Sequence, residues 1–147
     1  MNNPNLVLGL PQIDEEHQQI AAMFAALSTT DIDVLTGQVA ALETAIAAHF
    51  AGEHTLMASR DFPGLHCHKA QHAGLEYELH RAHGMLKKRQ LDKVIRHLTV
   101  IMPQLMIAHI TTMDRMTVAF LNGELGTADF AQLRLPEENA PAGARVE

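Results

Sequence analysis

The chain has 147 residues, 47% of them hydrophobic but only 4% aromatic, with no Trp, one Tyr and a formal net charge of −6. That length suits one domain with a core that needs no disulfides, and the single Cys67 allows no internal bridge and fits a reducing compartment. The acidic balance argues against nucleic acid as a partner, and the densest basic run, Lys87, Lys88 and Arg89 with Lys93 and Arg96, reads as a solvated loop and helix end.

In chain order, residues 1–12 form an irregular arm. It lacks a basic leader and a long enough apolar run to be a signal peptide. Asp14 is expected to cap a first helix running to about Leu27, with the seam Ile13, His17, Ile20, Phe24, Leu27. After a polar turn from Ser28 to Asp33, a second helix runs to about Arg60 on the seam Leu35, Val39, Leu42, Ile46, His49, Glu53, Leu56, and Phe62-Pro63-Gly64 breaks it. The third carries Leu65, His68, His72, Leu75 and Leu79 and is expected to weaken at Gly84. Asp92 caps a fourth, with Ile95, Leu98, Met102, Leu105, His109, Thr112 and Met116 inward, a kink near residue 100 from Pro103, and closure at Asn122-Gly123. The expected fold is all-α: an up-down-up-down antiparallel four-helix bundle over residues 1–123. The tail, 124–147, has lost the periodicity; TADFAQL predicts one helical turn and PEENAPAGARVE disorder. No apolar stretch reaches the ~20 residues that span a bilayer, so a cytoplasmic protein without membrane contact is expected, with a monomer favoured.

The seams themselves are unusual. Of ten histidines, five (His17, His49, His68, His72, His109) fall on core-facing positions, joined there by Glu53, and every helix contributes. Burying such groups without partners costs several kcal/mol in total, so something inside must satisfy them. His49 and Glu53, like His68 and His72, are four residues apart, which sets each pair ~40° apart on one helical face, able to grip an ion from one side. One HxxxE or HxxxH pair is a weak signal, and any single core histidine is commonly just hydrogen-bonded. The whole set in register on four helices is a strong one. These donors exceed what one tetrahedral zinc takes and include no thiolate, so a dinuclear centre follows, with iron the metal that best suits a His-rich, carboxylate-bridged bundle site. His66, His80, His83 and His97 lie in polar contexts outside this set, Cys67 reads as a packed or surface thiol, and Met57, Met102, Met106, Met113 and Met116 as core filler.

Residues 8 to 120 resemble the hemerythrin family in its single-domain bacterial form. The resemblance rests on Asp14 with His17; His49, Phe50, Glu53, Leu56 and Met57; His68 and His72 beyond Pro63; and His109, Ile110 and Asp114. It implies two non-heme irons with an oxo or hydroxo bridge. One would be held by His68, His72 and His109 and the other by His17 and His49 with a position open for O2, while Glu53 and Asp114 bridge both. Asp114 enters on the resemblance alone: five residues past His109, it lies ~140° round an ideal helix, so either the two side chains reach in from flanking directions or a π-bulge adjusts the turn. The resemblance further places Ile20, Phe50, Leu105 and Ile107 around the O2 pocket. The chain departs from the family at His54, where a second Glu is usual, at Leu105, where a Trp is common, and at Leu75, where a Phe often stands. The implied function is reversible O2 binding, as carrier, store or sensor, and not enzymatic, with O2 and a redox partner as the expected partners. The alternatives are a di-iron redox enzyme acting on peroxide or nitric oxide and a metal-stabilised interaction module.

Overall fold

The computed structural model describes residues 4–132, and every regular element among them is helical. Four long helices build a bundle, α1 (Pro11–Ala25), α2 (Ile32–Ser59), α3 (Leu65–Lys87) and α4 (Leu91–Leu121), and a short α5 (Thr127–Gln132) follows. The last covers most of the turn expected at TADFAQL; PEENAPAGARVE lies outside the described residues.

The arm makes a 3-10 turn at Pro4–Leu6 and bends at Gly9, whose φ of +97° is open to glycine at little cost. Asp14 does not cap α1. The helix starts earlier, at Pro11, whose fixed φ and missing N–H suit the first helical position. Asp14 instead reaches back from within the helix to accept from the amides of Leu8 (2.7 Å) and Gly9 (3.0 Å). Arg115 donates to the carbonyl of Asn5 at 2.9 Å and Asn122 to that of Gly9 at 3.2 Å, which ties the arm to the C-terminal part of α4.

Asp31 caps α2 through the amides of Asp33 and Val34, and Gln38 staples the preceding turn by accepting from Ser28 N (2.7 Å) and donating to Ala26 O (2.9 Å). The expected weakening of α3 at Gly84 does not occur, because buried Ala82 and Leu86 hold the helix on both sides of it. Asp92 is likewise no cap: Gln90 holds that position, and Asp92 sits in the first turn of α4, where its charge suits the helix dipole. The kink expected from Pro103 takes the form of a π turn at His97–Ile101 just before it, which widens the helix where the ring would meet a carbonyl and donates no hydrogen bond. His97 is buried rather than in a polar setting, and its Nε2 donates to Glu78 O at 2.6 Å, joining α4 to α3.

Two helices correct the expectation that no stretch is apolar enough to cross a membrane. Ile32–Ser59 and Leu91–Leu121 both meet that criterion by length and composition, each with a mean hydropathy of 1.2 over the relevant window. Alanine and methionine make up the hydropathy between larger residues, and the inward faces of both helices also carry buried histidines and carboxylates.

The apolar interior lies in two parts. The larger runs from Ile20 and Leu27 through Leu35–Phe50 and Leu75–Leu86 to Val94–Met106. The smaller is Met57 and Phe62, with Leu65, Met116 and Phe120 against them. On α3 and α4 the candidate ligands fall between the two, and on α2 His49 and Glu53 flank Phe50 at the edge of the larger, so polar groups occupy a layer with hydrocarbon above and below. The arm closes one flank of the fold, and Asp14→Ala, which strands two backbone donors, should cost about 1–3 kcal/mol. A denaturant melt with an unchanged midpoint, together with unchanged protease resistance before Pro11, would contradict this account of the arm.

Candidate metal centre

His17 comes from α1, His49 and Glu53 from α2, His68 and His72 from α3, and His109 and Asp114 from α4, and all are buried. The Asp114 question resolves in favour of the π turn. Ile110–Asp114 is a second wide turn in α4, so five residues bring the chain round to the face of His109, and Asp114 Oδ1 lies 2.9 Å from His109 Nε2.

The donor atoms form two sets, each within 4.8 Å: Glu53, His68, His72, His109 and Asp114 in one, and His17, His49, Glu53 and Asp114 in the other. The two carboxylates belong to both. Glu53 Oε2 lies 3.1 Å from His72 Nε2 while Oε1 faces His49 Nε2 at 3.5 Å; Asp114 Oδ1 lies 2.9 Å from His68 Nε2 while Oδ2 lies 3.1 Å from His17 Nε2. Each carboxylate thus turns one oxygen to each set, the partition that the resemblance implies.

The outer hydrogen bonds decide which way the rings' lone pairs point. Glu16 accepts from His49 Nδ1 at 2.6 Å. Gln71 Oε1 accepts from His109 Nδ1 at 3.0 Å. Thr117 Oγ1 donates to Met113 O, so toward His68 Nδ1, 2.8 Å away, it accepts. His72 Nδ1 lies 2.7 Å from His54 Nε2. Burial, then the charges of Lys69 and His68, hold the His54 pKa below its usual value, and a neutral ring there can accept the His72 proton. With Nδ1 carrying the proton, each neutral ring presents a bare Nε2 lone pair to the interior. Those lone pairs face one another, His109 Nε2 lying 3.2 Å from that of His68 and 3.0 Å from that of His72. Both oxygens of Glu53 and of Asp114, Nε2 of His49 and both nitrogens of His17 have no hydrogen-bond partner. Converging bare acceptors repel unless cations lie between them, and imidazole with carboxylate is a donor set for iron-class ions. The residues present fit a metal site.

Without metal, protons take part of that role. Burial would lower the His68 pKa, but Asp114 and Glu53 outweigh it and lift it to about 9. Burial would raise Glu53, yet the His68 and His72 rings bring it down to about 2. The Asp114 carboxyl is likewise held well below its usual range, with burial outweighed by His109, His17 and His68. Burial takes His72 down to about 4 against the pull of Glu53.

Of the residues the resemblance places around the O2 pocket, Ile20 and Phe50 are buried in the larger core, and Phe50 stacks on His72 with ring centroids 3.6 Å apart. Leu105 and Ile107 do not join them: they are 38% and 40% exposed, Ile107 being about 200° round the helix from His109. Leu105 lines a groove of about 360 Å³ with Leu75, Gln71 and His109. The two positions where the family commonly has large aromatics thus border an opening that reaches a candidate ligand. Sequence reasoning missed Glu16, Gln71 and Thr117, because each partners a histidine on another helix and no spacing along the chain marks the pair.

A bacteriohemerythrin of Ralstonia nicotianae (strain ATCC BAA-1114 / GMI1000) is 31% identical to this chain over 123 residues, covering 79% of this chain and 84% of that protein. The chain belongs to the hemerythrin family. No protein-family model and no solved structure matches it. As a hemerythrin-family chain it carries a buried His, Glu and Asp cluster able to hold metal, and metal held through His68 would displace the proton on that ring. That proton is present below about pH 9. Apparent affinity for the metal should therefore rise about tenfold per pH unit between roughly pH 7 and 8.5. Chelator competition across that range measures the slope, and a flat profile would overturn metal uptake through a protonated His68.

Proposed function

We propose that this chain binds O2 reversibly at a di-iron centre held by His17, His49, Glu53, His68, His72, His109 and Asp114, and is not an enzyme. The observation that carries the reading is the inequality of the two donor sets. Both share Glu53 and Asp114, but one adds three histidines and the other only His17 and His49. With fewer protein donors, the second side would leave room for a small exogenous ligand. Iron held there would supply the electrons for taking up O2 reversibly. Ile20 and Phe50 keep the interior apolar, Glu16 orients His49, and no protein acid stands among the ligands to drive O–O cleavage. We also infer the up-down-up-down order of α1 to α4. The larger core takes the C-terminal part of α1, the N-terminal part of α2, the C-terminal part of α3 and the N-terminal part of α4, and the links between these helices are short.

The test is a visible spectrum of the iron-loaded, anaerobically reduced protein before air, after air and after purging with argon. A chromophore that appears with O2 and bleaches on purging is expected. Direct passage to a stable ferric state, with turnover of peroxide or nitric oxide, would instead favour a redox enzyme. The groove beside His109 favours that second reading to one extent: it gives water and anions a path to the centre. Leu105→Trp should fill the groove and slow oxidation of the oxygenated form severalfold. An unchanged or faster rate would remove the groove as the route.

A further inference from the structure

Well away from the buried layer, α2 and α3 bring three other metal-binding side chains together. Glu43 lies ten residues before Glu53, about 15 Å along the helix axis, and His80 and His83 lie about 12 and 16 Å beyond His72. His83 Nε2 is 2.6 Å from Glu43 Oε2, and His80 Nδ1 is 3.6 Å from Oε1. The two rings face each other edge to face at 5.1 Å, and one donor atom from each residue falls within 4.8 Å of the others.

We propose that Glu43, His80 and His83 form a separate surface site for a divalent transition-metal ion of the zinc or copper class, linking α2 to α3. The spacing of His80 and His83 puts both rings on one face of α3, aimed at a carboxylate from the neighbouring helix. Two imidazoles and one carboxylate suit zinc and copper, whereas calcium and magnesium seek oxygen donors only. The three protein donors leave a position for water. Bonds of about 2.0–2.1 Å set donors roughly 3.3 Å apart round a tetrahedral ion. His80 Nδ1 is 3.6 Å from Glu43 Oε1 and His83 Nε2 2.6 Å from Oε2, so the carboxylate need only turn one oxygen toward both rings. Glu43 and His83 need part by less than about 1 Å to match the tetrahedral spacing, which their partial exposure permits. An exposed His–Glu pair contributes little by itself, so His80, with its side chain 76% exposed, gains little from a metal-free alignment.

The decisive experiment titrates Cu²⁺ into protein whose buried centre is already filled with iron, with calorimetry for stoichiometry, electron paramagnetic resonance for the ligands and iron content measured throughout. One further equivalent of copper, with hyperfine structure from imidazole nitrogen and no loss of iron, is expected. His80→Ala, at an exposed position that folding does not need, and Glu43→Gln should each weaken this binding by about tenfold or more, while His66→Ala leaves it unchanged. Copper uptake that is equal in these variants and the parent, or that occurs only as iron leaves, overturns the proposal.

Discussion

Bare acceptor atoms facing one another inside hydrocarbon are the constraint on which this molecule depends. His68, His72 and His109 converge through Nε2, and the carboxylates of Glu53 and Asp114 face only those rings and the rings of His17 and His49. Such a layer between two apolar clusters is costly unless cations fill it. The rest of the architecture serves that layer: apolar clusters flank it, a groove reaches its edge only at His109 among the candidate ligands, and four of the five rings are locked by bonds formed behind them.

Those bonds have a common pattern. His49 on α2 is oriented by Glu16 on α1, His72 on α3 by His54 on α2, His68 on α3 by Thr117 on α4, and His109 on α4 by Gln71 on α3. In every case the orienting group belongs to a different helix from the ring. Ring orientation and helix packing are therefore one property, and a shift of one helix rotates a neighbour's imidazole. His54 fits the scheme in spite of being an imidazole where the family usually has a carboxylate, since a neutral ring accepts the same proton with less basicity.

Much of this was legible in the sequence because burial and periodicity speak the same language. Six of the candidate ligands fall on seams that any apolar residue could have filled, and their polarity marked them out. Asp114 stood off the seam for a physical reason: the turn carrying it is a π turn, and a fixed 3.6-residue period cannot register a helix that widens locally. The helix starts were misread at Asp14 and Asp92, since both are good capping residues used otherwise, one to hold the arm and one to favour the dipole. His97 was misjudged because its acceptor, the carbonyl of Glu78, is backbone on another helix and leaves no trace in composition. The outer partners were hidden likewise by being distant in sequence.

The unequal donor sets also bear on the order in which the structure comes together. Glu53, His68, His72, His109 and Asp114 all lie on α2, α3 and α4, so a chain whose first helix has swung aside still keeps every donor of one set. The other set is incomplete until α1 brings His17, whose two nitrogens are the ones with no bond behind them. Three helices alone thus supply one complete donor set, while the other closes only when α1 lays His17 over them.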